Sequence, residues 1–431
     1  MLGPINDFSP VVIAGCRTPF LRSGTGFRDL LAYDLARIAL KGLIDKANLP
    51  PDSVDHVMFG CVLNEPKTSN VAREAVIGAN IPQHIPAHTV AMACISGGQA
   101  VSQAASLIVC REAKTVIAGG TETLSDIPIL LRRPLRQKLL GIRKLKSPLD
   151  WIKWATGLRP RHFIPEIPEV AEFSNSLTMG QSSDRLAAHW GVSREEQDLY
   201  ALRSHQLAAK AAAEGLFADE ILPVAVPPRF HIEARDNGIR GDTTVEKLAK
   251  LPPSFYRPFG SATAGNSSFL SDGAAAALIM SYGTAKKLGY KPMARIAGFS
   301  FAGCDPYHEL LLGPAYAVPK VLATTGIPLD SIGVFEFHEA FAGQVLANLR
   351  ALDSKDFARK RLGRSSKVGE IPLDRLNTRG GSLSVGHPFG ATGIRLLINC
   401  CNRLKHEKAE FGLIASCAAG GLGHAMLLER M

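Results

Sequence analysis

Short β-branched and aromatic runs alternate along this chain with longer stretches in which apolar residues recur every three or four positions. VVIAG (11–15) reads as a strand, YDLARIALKGLIDKANL (33–49) as a helix and DHVMFGCVL (55–63) as a second strand. The same order returns at MARIAGFS (293–300), a helix near AVPKVLATTG (317–326) and GVFEFHEA (333–340). Two segments align directly, LPPDSVDHVMFG (49–60) and IPLDSIGVFEFH (327–338): each has a proline, then Asp-Ser, then a β-branched and aromatic run. A second pair follows. AMACISGGQAVSQAASLIV (91–109) reads as strand, small-residue turn and helix leading to strand TVIAGG (115–120). SVGHPFGATGIRLLINCC (384–401) reads as turn and helix leading to strand FGLIASCAAGG (411–421).

The pattern predicts two copies of one α/β unit, each a sheet with crossover helices on both faces, stacked as five α-β-α-β-α layers. Residues 123–269 have no counterpart in the second half and read as an inserted loop domain. They hold a Pro-rich piece (Pro160, Pro165, Pro168) and a long helix (194–215). AAAALIMS (274–281) then returns as a strand of the first sheet. The expected division is 10–122 with 270–290 as the N-terminal half, 123–269 as the insertion and 291–431 as the C-terminal half.

Composition narrows the class. Of 431 residues, 46% are hydrophobic and 20% charged, as in a globular protein, and no apolar run reaches the roughly 18 residues needed to span a bilayer. MLGPINDFSP has neither a secretory h-region nor an Arg-rich amphipathic stretch, so the expectation is a cytosolic or processed organellar protein. The eight cysteines form no C-x-x-C pair, which excludes zinc-ribbon and dithiol redox motifs and leaves free thiols as candidates for chemistry. The net charge of +10 is concentrated: 132–161 holds ten Arg or Lys against one acid, Asp150. Such a stretch suits an anionic partner.

Cys94 follows a strand-like run and opens a helix, where the dipole favours a thiolate, and Ser96, Gly97 and Gly98 leave room for a ligand to approach the backbone. His387 sits in a glycine- and proline-fixed turn before a helix, where a neutral imidazole could activate a thiol. Cys417, at a strand end beside small residues, mirrors Cys94 in the other copy. His338 ends one strand and starts the next helix, as a cap or a site group, and Glu339 beside it reads as a supporting partner or a first-turn acid. TAGNSSFLSDGAAA (263–276) offers backbone amides and hydroxyls before a strand. Duplication would bring these strand ends into one cleft.

In their order, MACISGGQ, TAGNSSFLSDGAAA, FHEAFAGQ, GGSLSVGHPFGATG and CAAGGLGH resemble the thiolase family over residues 10 to 428. The HEAF and CAAGG variants, the SGT and KTSNVARE stretches and the basic insertion resemble the β subunit of the fatty-acid-oxidation trifunctional complex and its bacterial counterparts. The resemblance implies the thiolase fold and thiolytic cleavage of 3-ketoacyl-CoA, with CoA as substrate and no metal or redox cofactor. By position it makes Cys94 the acyl-carrying nucleophile, His387 its activator and a donor to the enolate, and Cys417 the general acid and base. His338 stands where many thiolases have an Asn that holds a water. Ala419 stands where many have Gly, and its N–H would join that of Cys94 in an oxyanion hole. Arg240, Ala264 and Ser268 match CoA-contacting positions.

The resemblance also implies a homo-oligomer, an allied hydratase/dehydrogenase α subunit, and a mitochondrial matrix or bacterial cytoplasmic setting. Basic residues with Trp151 and Trp154 suggest a membrane-surface contact through 132–161. Rival readings are a short-chain acetoacetyl-CoA thiolase, a ketoacyl synthase and a non-enzymatic lipid or nucleic-acid binder. Cys417 speaks against the synthase, and no RNA-binding motif accompanies the charge.

Overall fold

The computed structural model describes residues 3–166 and 171–431; Pro168 of the Pro-rich piece lies outside them. The first half runs β1 (Pro10–Arg17), α1 (Ala32–Ala47), β2 (His56–Gly60), β3 (Ala87–Val90), α2 (Ser96–Val109) and β4 (Thr115–Glu122). Helices α3 (Arg133–Leu140), α4 (Pro148–Ala155) and α5 (Arg194–Ala213) precede β5 (Ser271–Ser281). The second half runs β6 (Ala294–Gly303), α6 (Gly313–Thr325), β7 (Ile332–Phe337), α7 (Ala342–Leu352), α8 (Phe389–Glu407), β8 (Phe411–Ala418) and β9 (Leu422–Arg430).

The duplication is real at the level of topology. The first sheet has order β3-β2-β4-β5-β1 and the second β7-β8-β9-β6. In both, the first crossover pair (β2–β4, β7–β8) is parallel and the later pairs are antiparallel. Both aligned Pro-Asp-Ser segments form a 3-10 turn, Pro51–Ser53 and Leu329–Ser331, leading into β2 and β7. The two sheets are not separate, as the repeat alone suggests. Edge strands β1 and β6 pair antiparallel over Val11–Arg295 and Val12–Ala294.

Helices α2 and α8 lie between the sheets, with α8 packed on strands of both; α1 covers the outer face of the first sheet and α6 that of the second. Three cores result, one per interface group. Strand β4 shows why its sequence is continuously apolar rather than alternating: Val116 and Ala118 face the central helices while Ile117 faces α1, and all are fully buried. Full burial of a side chain such as Ile117 is worth about 1.5–3 kcal/mol.

The central layer is closely packed. A Cβ on Gly97 would come 2.5 Å from the Gly390 carbonyl oxygen, and one on Gly393 would come 2.4 Å from the Gly98 nitrogen. The small residues after Cys94 therefore admit the backbone of α8, which corrects the expectation that they open space for a ligand.

Residues 123–269 carry several helices. Ser193 caps α5: its hydroxyl accepts from the Glu196 N–H and its own N–H donates to the Glu196 carboxylate. In the basic stretch, α3 and α4 are tied together by the Trp154 indole, which donates to the Lys138 carbonyl at 2.7 Å. Asp150, the lone acid, caps α4 through Ser147.

Candidate active site

Cys94 lies on a bend between β3 and α2. Ala93 has φ 46°, a left-handed conformation rare for a residue with a Cβ. Ser96 holds the bend: its hydroxyl accepts from the Met92 N–H at 2.8 Å and donates to the Ala93 carbonyl at 2.7 Å. The helix itself begins at Ser96, so Cys94 precedes its first turn. His387 lies on the bend that enters α8, with Pro388 as the N-cap and Gly386 at φ 114°. The N-termini of the two central helices thus converge on one place.

His338 follows the end of β7. Helix α7 starts only at Ala342, so His338 does not open or cap it, and Glu339 is not a first-turn acid. Glu339 is instead a buried hub. Its carboxylate accepts from Tyr200, Ser204 and Asn377 side chains at 3.0, 2.7 and 2.7 Å, and from the Leu383 N–H. The hub was missed in the sequence because Tyr200, Ser204 and Asn377 belong to none of the motifs.

Cys94 Sγ and one ring nitrogen each of His338 and His387 lie within 4.8 Å of one another. The two imidazole rings are 4.0 Å apart, centre to centre. Nδ1 of His338 is bonded to Ser382 Oγ at 2.9 Å and Nδ1 of His387 to Thr392 Oγ1 at 2.7 Å. Nε2 of each is buried without a hydrogen-bond partner among the described residues. Ring nitrogens left open in this way are free for a substrate, and a thiol with two imidazoles at this spacing could also hold a soft metal ion.

Burial sets the resting charge state. It pushes the Cys94 thiol up to about 12, against the pull of the Ala419 and Cys94 N–H groups on the sulfur. The expected preference for thiolate at the helix start is therefore outweighed. Burial, followed by the Arg395 guanidinium, lowers His387 to about 3. Burial and the neighbouring His387 hold His338 well below the usual range. These shifts all favour a neutral thiol, itself partly exposed, beside two neutral imidazoles.

Cys417, near the end of β8, is buried, and its thiol is pushed well up, by burial first and by Cys94 next. Ala419 follows the strand, ahead of Gly420 and Gly421 at φ 82° and 68°. Buried Glu122, raised to about 7 by burial, accepts from the Val62, Leu63 and Gly390 N–H groups and so anchors the start of α8.

A cavity of about 360 Å³ is lined by Arg22, His205, Arg240, Lys247, Ala264, Phe269 and Leu383, among others. Its cationic side chains suit a polyphosphate, and the Arg22 guanidinium stacks 4.2 Å over the Phe269 ring. Leu383 connects this wall to Ser382. Arg240 and Ala264 thus sit together, whereas Ser268 does not line the cavity; its N–H donates to the Ala340 carbonyl beside the His338 segment. Arg22, His205 and Lys247 were not singled out from the sequence; His205 lies in the long helix read there, and none of the three belongs to a recognised motif.

The thiolase N-terminal domain matches residues 10–283 and the thiolase C-terminal domain residues 290–430. The chain is 52% identical over 419 residues to the mitochondrial trifunctional enzyme subunit beta of Bos taurus, covering 97% of this chain and 88% of that one. It is 40% identical to the 3-ketoacyl-CoA thiolase of Yersinia enterocolitica, covering 97% and 96%. Human mitochondrial 3-ketoacyl-CoA thiolase, solved with CoA, superposes over the whole of both chains with a TM-score of 0.85 at 30% identity. This chain belongs to the thiolase family.

Proposed function

We propose that this chain is a 3-ketoacyl-CoA thiolase of fatty-acid β-oxidation, an acetyl-CoA C-acyltransferase working through an acyl-Cys94 intermediate. The observation that carries the reading is the neutral Cys94–His387–His338 cluster with both Nε2 atoms open.

Cys94 gives its proton to His387 Nε2 as the sulfur attacks the C3 ketone. The C2–C3 bond breaks, and its electrons form the enolate of acetyl-CoA. The enolate oxygen accepts from His338 and from protonated His387. Cys417 gives its proton to C2, and acetyl-CoA leaves. CoA then enters, Cys417 takes the CoA thiol proton, and the CoA sulfur attacks the acyl carbon. The Cys94 and Ala419 N–H groups hold that oxyanion, a donation of a kind whose loss commonly costs about 100- to 1000-fold. Cys94 leaves as thiolate and recovers its proton from His387. His338 takes the place of an Asn with its water, its longer side chain reaching the oxygen directly.

CoA is substrate, with its phosphates toward Arg22 and Arg240, and Ser268 supports the wall near His338. No metal is required by these steps. Residues 123–269 form the inserted loop domain within the first thiolase half (10–122 with 270–290), and 291–431 form the second half. The half-exposed edge strand β3 suits pairing with a second copy. Leu140, Leu149, Trp151 and Ile152 are exposed on the α3–α4 hairpin among its cations, which suits docking to an anionic membrane surface or to a hydratase/dehydrogenase α subunit. The setting is the mitochondrial matrix at the inner-membrane face, or the bacterial cytoplasm, and no specific nucleic acid is bound.

The test is thiolysis of 3-ketohexadecanoyl-CoA and acetoacetyl-CoA by the purified chain and by Cys94→Ala. Greater activity on the long chain, abolished in the mutant, is expected. Activity on acetoacetyl-CoA alone would make it a short-chain thiolase.

A further inference from the structure

The two active-site histidines are neutral, so what each can do depends on which ring nitrogen carries its hydrogen. Their surroundings differ. Thr392 has one hydroxyl hydrogen, and its Oγ1 donates to the Pro388 carbonyl at 2.9 Å. Toward His387 Nδ1, at 2.7 Å, it is then an acceptor. His387 therefore carries its hydrogen on Nδ1 and presents a lone pair at Nε2.

At His338 the accounting reverses. Arg395 is buried, and its Nη2 donates to Ser382 Oγ at 3.2 Å; a guanidinium cannot accept. Ser382 Oγ has one further bond, 2.9 Å to His338 Nδ1, and among the described residues this is the place for its own hydrogen. His338 Nδ1 is then the acceptor, and the hydrogen sits on Nε2.

We propose that Ser382, held by Arg395, and Thr392 are positioning residues that fix opposite tautomers in the two histidines, so that one Nε2 lone pair and one Nε2–H face Cys94. The inference rests on the thiolase reading above. Two lone pairs would leave protonated His387 as the one ring donor for the enolate oxygen, and two N–H groups would leave no base for Cys94. With one of each, transfer of the Cys94 proton to His387 turns the site into two donors at the moment the enolate needs them. The arrangement also explains a buried cation beside two imidazoles: Arg395 orients the Ser382 hydroxyl and, by its charge, opposes protonation of both rings.

The test uses the full chain labelled with ring-¹⁵N histidine, the two sites being assigned by loss of signal in His338→Gln and His387→Asn. The nitrogen shifts are expected to show protonated Nε2 with bare Nδ1 in His338 and the reverse in His387. The same tautomer in both rings would overturn the proposal. Kinetically, Ser382→Ala is expected to slow carbon–carbon cleavage by about 10- to 100-fold, as loss of an outer-shell partner commonly does. Exchange of labelled CoA into acyl-CoA, which uses the backbone oxyanion hole, is expected to be spared, and Ser382→Thr to restore cleavage. Equal loss of both half-reactions would make Ser382 merely structural and sink the idea. A wild-type chain that cleaves no 3-ketoacyl-CoA would refute the thiolase reading instead, while the nitrogen shifts would still decide the tautomers. They also decide the matter if Ser382→Ala does not fold.

Discussion

Gly120→Ala places one methyl group where the structure has room for none. Gly120 lies in β4, and a Cβ there would stand 1.8 Å from the Gly390 carbonyl oxygen. Real Cβ contacts essentially never fall under 3.0 Å, so the two backbones must part by at least 1.2 Å, the difference between those distances. Neither neighbour is a flexible side chain. Gly390 is the second residue of α8 and lies three residues beyond His387, so the displacement falls on the turn that aims the imidazole at Cys94. A misplacement of this size at a reacting pair costs about 100-fold in rate, whereas overpacking commonly costs about 1–3 kcal/mol of stability. Steady-state thiolysis, with melting followed by circular dichroism, checks both. The expected result is a folded protein, a few degrees less stable, with kcat reduced about 100-fold. A folded variant with kcat within twofold of wild type would refute the claim that the central glycines set the His387–Cys94 geometry.

Because His387 is held near 3, kcat/KM is expected to persist as pH falls through 6.5, and a loss of kcat/KM with a midpoint near 6.5 would refute this. Stability behaves differently. His205, His387 and His424 have folded values near 4, 3 and 4, below the usual 6.5, so the unfolded chain binds more protons and melting temperature falls as pH drops from 6.5 toward 4. Glu122, raised to about 7, acts in the opposite sense between 4.5 and 7. Arg240→Ala is expected to raise the KM for CoA roughly tenfold, the scale of one charge-assisted hydrogen bond, with little change in kcat; an unchanged KM in initial-rate assays would remove Arg240 from the CoA site. EDTA is expected to leave activity intact and added zinc to inhibit it through Cys94, His338 and His387, whereas loss of activity on chelation would refute the metal-free scheme.

The strands and the repeat were legible because both faces of each sheet are buried, which writes unbroken apolar runs such as those of β4 and β5 into the sequence. The Pro-Asp-Ser alignment was legible because both copies use it for the same 3-10 turn. Cys94, His387, His338 and Cys417 could be picked out because each lies at or just beyond a strand end or helix start. Their charge states could not. Local context puts Cys94 in a helix dipole, but burial is a property of the whole fold and outweighs it. The Glu339 hub was equally hidden, since Tyr200 and Asn377 lie 139 and 38 residues away in the chain.

The motifs that look most like ligand loops are therefore doing two jobs, and the division follows from which atoms touch. In CISGGQ, only the cysteine and the bend before it face the cleft; Gly97 and Gly98 face Gly390, Gly393 and His424. In GHPFGATG, His387 faces the cleft and Thr392 turns back to hold it, while Gly393 completes the contact with α2 and Gly390 lets α8 approach Gly60 and Thr121 at the ends of β2 and β4. Each helix thus places one reacting side chain and uses its own glycines to approach the other helix. Closing that gap brings the two N-termini, the thiol and the imidazole together in one step. Burial lifts the thiol and lowers the imidazole, so in the proposed mechanism the proton rests on sulfur until a ketone arrives and then passes to His387. A looser central layer would make Cys94 a better thiolate and a worse-aimed one, and the glycine spacing selects aim.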